Sequence, residues 1–118
     1  MLNKKHFQEL VEQVCEAWEI ESPDVKFLEY KYMETTLGIA FPGNKTYRNH
    51  IWVEHDLIVI NEILLHYPFN KIMQVIYHEL AHLFTRKTDN DYEFELFCKL
   101  NNIPLSGDWL EEIVKEEN

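Results

Sequence analysis

Two histidines four residues apart, with a glutamate directly after the first, are the residues of this chain whose types and spacing could do chemistry. They are His78, Glu79 and His82, in the run His-Glu-Leu-Ala-His. Residues four apart lie above one another on one face of an α-helix, so both imidazoles can bind one metal ion. Glu79 then lies beside the metal, where it can accept a proton from water. The motif predicts metal-dependent amide hydrolysis with Glu79 as general base.

The metal that we expect is zinc, because two neutral imidazoles and an oxygen ligand suit it and leave a position for water. The motif lies within residues 70–87, which are apolar around much of the helix circumference and therefore predict a central, buried helix. Asn70 is the expected N-cap of this helix. Asp89 and Asn90 are expected to cap a second helix at residues 91–101.

The remaining elements must position this helix. An amphipathic pattern predicts an N-terminal helix at residues 3–19, and polar residues 45–49 predict a hairpin loop. Short alternating runs predict strands at residues 25–30, 35–41, 51–53 and 57–60, the last two being one bent strand or two short ones. A last helix is expected at residues 106–115. We therefore predict an α+β domain: an N-terminal helix, a small, mostly antiparallel sheet of three or four strands on the central motif helix, and two further helices.

Length and composition limit the class of protein. The 118 residues are 46% hydrophobic, which predicts a single domain spanning residues 1–118. The net charge of −10 disfavours direct binding of nucleic acid or of anionic membranes. The sequence has no long apolar run and no apolar leader, so we expect a cytoplasmic protein. Cys15 and Cys98 are far apart in the sequence, and we expect them to be buried thiols.

Several segments besides the motif fit one family. They are Leu37-Gly38-Ile39-Ala40, Ile58-Val59-Ile60-Asn61, Pro68, Ile72, Val75-Ile76, Glu93-Phe94 and Leu100. Over residues 35–104 the chain resembles the SprT-like and minimal gluzincin-type zinc metallopeptidases. The resemblance implies a zincin-like domain with a mixed sheet behind the motif helix and zinc as cofactor. It also implies a protein or peptide substrate that adds as a strand along an edge of the sheet.

The third metal ligand departs from the SprT-like pattern. Those proteins carry a zinc-binding histidine a few residues before the glutamate-phenylalanine pair, and Asn90 occupies that position here. Because asparagine is a poor zinc ligand, Asp91 or Glu93 would supply an oxygen, which resembles the acidic third ligand of gluzincins and of ImmA/IrrE-type peptidases. A ligand must lie near the helix start while Phe94 turns into the core, so Glu95 is disfavoured. Between the two we expect Asp91.

Two other functions stay open at this stage. The chain could be a catalytically weak or inactive metal-binding module for regulation or interaction, although a base such as Glu79 has no use in a purely structural site. It could also be a metal-free adaptor in which the motif is accidental. Four tyrosines are possible donors to the oxyanion that amide hydrolysis generates, namely Tyr47, Tyr67, Tyr77 and Tyr92.

Overall fold

A computed structural model of the chain describes residues 1–47 and 50–105. The helices and strands, in chain order, are α1 (Lys4–Trp18), β1 (Asp24–Leu28), α2 (Tyr30–Met33), β2 (Gly38–Phe41), β3 (Lys45–Tyr47), β4 (Ile51–Val53), β5 (Leu57–Asn61), a 3-10 helix (Glu62–His66), α3 (Phe69–Thr85) and α4 (Tyr92–Leu100). The helix predicted at residues 106–115 lies outside the described residues. Within the described ranges, no helix has the length and apolarity needed to cross a bilayer.

The strands form a mixed three-stranded sheet and a separate hairpin. The main sheet has the order β1-β5-β2, in which β5 runs parallel to β1 and antiparallel to β2. Strands β3 and β4 pair with each other in antiparallel orientation. The α+β class is therefore confirmed. Strand β1 pairs with distant β5 instead of with its neighbour in sequence. The reason is that β5 is the buried central strand, with which both edge strands, β1 and β2, pair.

The core lies between the sheet, α1 and α3. Its fully buried side chains include Phe7, Val11, Ile58, Ile60, Leu64, Val75, Ile76 and Leu80. Burying one such side chain contributes roughly 1.5–3 kcal/mol. Trp18, at the end of α1, joins this core to α4, since its ring stacks on Tyr77 of α3 and meets Phe97 of α4 edge-on. The helix that carries the motif is thus fixed on both sides.

Several element ends differ from those predicted. Helix α3 begins at Phe69 with Pro68 in the N-cap position, so the predicted cap Asn70 is wrong. Proline fits there because it has no N–H to lose and its φ is already suitable for entry into a helix. The predicted loop at 45–49 contains strand β3, because Lys45–Tyr47 pairs with β4. Asn3 caps α1 by accepting a hydrogen bond from the backbone N–H of His6 at 2.8 Å.

Asn61 holds the segment that leads into β2. Its side chain is fully buried, and its Nδ2 donates to the carbonyl oxygens of Glu34 at 2.9 Å and Thr36 at 3.1 Å. Its Oδ1 accepts from the backbone N–H of Ile63 at 3.1 Å. One buried amide therefore ties the end of β5 to the start of β2. Since β2 lies against α3 at Gly38, this tie also fixes the sheet relative to the motif.

Candidate metal centre

Helix α3 brings the three motif residues together as the sequence predicts. The ligand atoms of His78, Glu79 and His82 all lie within 4.8 Å of one another. His78 and Glu79 are almost completely buried, with 2% and 3% of their surface exposed. The two imidazole centroids are 4.9 Å apart. This spacing follows from the four-residue separation on one helix face.

Both imidazoles donate their Nδ1 hydrogen to a backbone carbonyl. The Nδ1 of His78 lies 2.9 Å from the carbonyl oxygen of Pro104, and that of His82 lies 2.8 Å from the carbonyl oxygen of Lys87. A carbonyl oxygen can only accept, so each Nδ1 must carry the hydrogen. In a neutral ring the lone pair then lies on the Nε2 atom, which is the arrangement of metal-binding histidines.

Phe94 of α4 holds the two rings in place. Its ring lies parallel to that of His82, with centroids 4.0 Å apart, and meets His78 edge-on at 5.4 Å. Phe94 is itself fully buried, so it cannot move away without opening the packing between α3 and α4. The sequence identified it only as a core residue. It also fixes the orientation of both candidate ligands.

Asp89 provides the carboxylate that meets both imidazoles. Its Oδ1 lies 3.4 Å from the Nε2 of His78 and 3.1 Å from the Nε2 of His82. Helix α3 ends at Thr85, its C-cap residue Arg86 has the left-handed φ of 59°, and the reversed chain brings Asp89 back across the motif. The sequence does not predict this turn, because the residue with the left-handed φ is an arginine and not a glycine.

Asp91, the expected third ligand, makes no comparable contact within the part of the chain that the structure describes. Its Oδ1 accepts a hydrogen bond from the backbone N–H of Glu93 at 2.8 Å, as the N-cap of α4. Glu93 is exposed in the first turn of that helix. The prediction that Asp89 and Asn90 cap α4 is wrong. Asp91 therefore occupies the cap position that the sequence suggested for Asp89 and Asn90, and Asp89 lies beside the imidazoles.

Burial changes the acid–base properties of the motif. Burial lowers the pKa of His78, although the Pro104 carbonyl and Asp89 act in the opposite direction. Burial also raises the pKa of Glu79 to about 8, and the nearby negative charge of Asp89 adds to this effect. The site therefore combines a neutral imidazole with a carboxyl group that exchanges its proton near neutral pH.

An open cleft of about 400 Å³ leads to these residues. The edge strand β2 forms one wall, and residues 86–89 form the opposite wall. Glycine at Gly38 leaves room for Glu79, because a Cβ there would lie 3.0 Å from both Cγ and Oε2 of Glu79 and that side chain would have to shift. Among the four candidate tyrosines, only Tyr47 lines the cleft, and its hydroxyl donates to the Pro42 carbonyl at 2.7 Å.

The donor set fits a metal ion. The two Nε2 lone pairs and the Asp89 carboxylate are all acceptors, and Asp89 Oδ1 lies within 3.4 Å of both Nε2 atoms. Neither Nδ1 hydrogen can form a hydrogen bond between these acceptors, because both hydrogens are donated to backbone carbonyls. Such an arrangement of acceptors is unfavourable unless a positive charge lies between them. Two imidazoles and one carboxylate are a set that zinc accepts, with a position left for water.

Comparison with known proteins agrees with this geometry. The sequence model of the SprT-like family matches residues 2–99, which include all of the motif and Asp89. No curated protein and no solved structure matches the chain.

Proposed function

Since the chain belongs to the SprT-like family, which is of the zincin-like metallopeptidase type, we propose that it is a zinc-dependent peptidase that cleaves extended segments of protein. The observation that carries this proposal is the convergence of His78, His82 and Asp89 beside Glu79. Three acceptor atoms face one point, and a buried carboxyl group lies next to them. A regulatory metal site would need the three ligands but not the buried acid.

In this proposal His78, His82 and Asp89 hold the metal, with Asp89 in place of Asp91. The zinc ion, when bound, acts as a Lewis acid that activates water and polarises the substrate carbonyl. The carbonyls of Pro104 and Lys87 keep both imidazoles in the Nε2-binding tautomer. The stacked ring of Phe94 keeps His82 from rotating away from that orientation.

Glu79 moves the protons. It takes a proton from the attacking water at its carboxylate and then delivers a proton to the amide nitrogen that leaves. Burial raises the pKa of this group in the metal-free chain, and a bound dication beside it would favour the carboxylate form that accepts the proton of water. Gly38 leaves the space that this carboxylate occupies. Tyr47 is the candidate tyrosine that lines this cleft, and its hydroxyl would have to leave the Pro42 carbonyl to donate a hydrogen bond to the substrate.

Strand β2 binds the substrate backbone in this proposal. It pairs with β5 on one side only, among the described residues, and its other edge faces the cleft. Backbone N–H and C=O groups on such an edge pair readily with an extended peptide. A peptide bound there would run past Glu79, because Gly38 of the same strand touches its side chain.

Metal content and hydrolysis test the proposal together. Purified protein loaded with zinc should hold about one ion per chain by elemental analysis, and it should degrade an unfolded protein such as casein. The Glu79→Gln variant should retain the metal and lose hydrolysis. The matched control is Glu12→Gln, the same substitution on the exposed face of α1, which should retain both.

Each outcome has a distinct meaning. A Glu79→Gln protein that cleaves as fast as the parent would contradict the role of Glu79. Stoichiometric zinc without cleavage of any protein would leave a metal-binding module. Protein that binds no zinc after loading would contradict the metal site itself.

A further inference from the structure

Three basic residues line the cleft of a chain that is otherwise strongly acidic. They are Lys45 from β3 and the adjacent pair Arg86 and Lys87 after α3. The whole sequence has only 11 basic residues against 21 acidic ones, so this local excess is opposite to the net charge of −10. The only carboxylates among the described residues lining the cleft are Glu79 and Asp89, which belong to the metal centre.

Helix geometry accounts for part of this excess. Cations at the C-terminal end of a helix are favourable, and this explains Arg86 and Lys87 beside the end of α3. Arg86 also has a structural partner, since its Nη1 pairs with Asp56 Oδ1, which in turn accepts from the Gly43 backbone N–H. The helix end does not account for Lys45, which comes from a different strand.

The two lysines are held beside the cleft. The ammonium group of Lys45 lies 5.5 Å from the ring centroid of Tyr47, a cation–π distance on the cleft wall. The carbonyl of Lys87 accepts from His82, so its backbone is fixed next to the metal centre. Within residues 1–47 and 50–105, neither ammonium group pairs with a carboxylate.

Among the described residues, the charge that remains in the cleft is positive. A divalent ion together with Glu79 and Asp89 is close to neutral, and Asp56 offsets Arg86. No carboxylate of the described residues pairs with Lys45 or Lys87, and the cleft walls focus the field of these charges. We infer that this peptidase prefers substrates that present carboxylate groups to the cleft, as acidic side chains or as a C-terminus. This inference rests on the proposed function and names the substrate class of the same site.

Binding to protein that cannot turn over tests the preference. Zinc-loaded Glu79→Gln protein is titrated into fluorescently labelled peptides of one length, which differ only by glutamate or glutamine beside the central bond. Each peptide is made with a free and with an amidated C-terminus. Two partly exposed ion pairs predict about three- to tenfold tighter binding of the carboxylate peptides. The difference should shrink at high ionic strength, since exposed charges are screened.

A pair of double variants separates the local effect from the bulk charge. Lys45→Gln with Lys87→Gln should bring the affinity ratio close to one. Lys5→Gln with Lys26→Gln removes the same charge from α1 and from β1, the opposite edge of the sheet, and should leave the ratio unchanged. A ratio that falls equally in both double variants would overturn the inference.

The remaining outcomes are also decisive. A difference confined to the free and amidated termini would support the inference and assign the carboxylate to the C-terminus. Equal binding of all peptides, or binding of none, would overturn it. Cleavage of all four peptides by the parent at equal kcat/KM, whatever the side chain and whether the C-terminus is free or amidated, would also overturn the inference but leave the peptidase intact. Preferential binding without any cleavage by the parent would instead contradict the proposed function alone.

Discussion

Replacing Glu79 with glutamine should remove a pH dependence of stability in the metal-free protein. Burial holds the pKa of Glu79 at about 8 in the folded chain, against 4.5 for the exposed group. The folded state therefore keeps a proton that the unfolded chain releases above pH 4.5. Because the folded state binds more protons between these two values, the free energy of unfolding falls as pH rises from about 4.5 to about 8. Glutamine cannot ionise, so it contributes no such slope.

The size of the effect follows from the two pKa values. Each pH unit in this window is worth about 1.36 kcal/mol for one proton. At pH 7 the parent has lost about 3 kcal/mol relative to pH 4.5, because the slope is close to its full value over most of these roughly 2.5 pH units. The buried amide of glutamine has its own desolvation cost, which does not change with pH. The slope, and not the offset between the two proteins, is therefore the diagnostic quantity.

Urea denaturation of chelator-treated protein at several pH values between about 5 and 8 measures this slope. The difference in unfolding free energy between variant and parent should grow by about 1 kcal/mol or more per pH unit. Parallel stability curves would refute the reasoning, because they would mean that the Glu79 carboxyl group is not desolvated in the metal-free fold. The variant that abolishes hydrolysis would thus lose less stability than the metal-free parent as pH rises from about 5 to about 8, and this loss in the parent is the cost of keeping a buried base.

Three further variants test the parts of the site. Gly38→Ala should lower hydrolysis about tenfold or more with metal retained, since its Cβ displaces the Glu79 carboxyl group; unchanged kcat would contradict this. Asp89→Ala should weaken zinc binding at least about 100-fold in competition with a chromogenic chelator. Asp91→Ala should instead keep the metal and lose about 1 kcal/mol of stability as a helix cap, and the reverse pattern would return the ligand to Asp91. Asn61→Ala should cost about 2–4 kcal/mol in urea denaturation because three backbone partners are lost, and a loss below about 1 kcal/mol would count against this bracing role.

The part of the site that lies on one helix was predictable from the sequence. The spacing of His78, Glu79 and His82 fixes their relative positions through helix geometry alone. The buried character of α3 was equally local, because its apolar residues cover much of the helix circumference. The cleft beside β2 followed from the family resemblance, which implied an edge strand lining it.

The part supplied by the loop after α3 was not predictable. The path from Arg86 to Asp91 depends on a left-handed residue that no glycine marks. Both aspartates are acceptable as a cap and as a ligand, so composition cannot assign the two roles. A displacement of two residues in this loop decides which carboxylate reaches the imidazoles. The parallel pairing of β1 with β5 was missed for a related reason, since it joins residues 24–28 to residues 57–61 across several intervening elements.

Residues 86–89 join the chemistry of the site to its proposed selectivity. Within four residues, Arg86 reverses the chain, the Lys87 carbonyl orients His82, and Asp89 reaches both imidazoles. Lys87 itself also lines the cleft. A change in the path of this loop would therefore alter the metal site and the cleft charge together. Side-chain substitutions that keep the backbone, such as Lys87→Gln, are the changes that can separate the two.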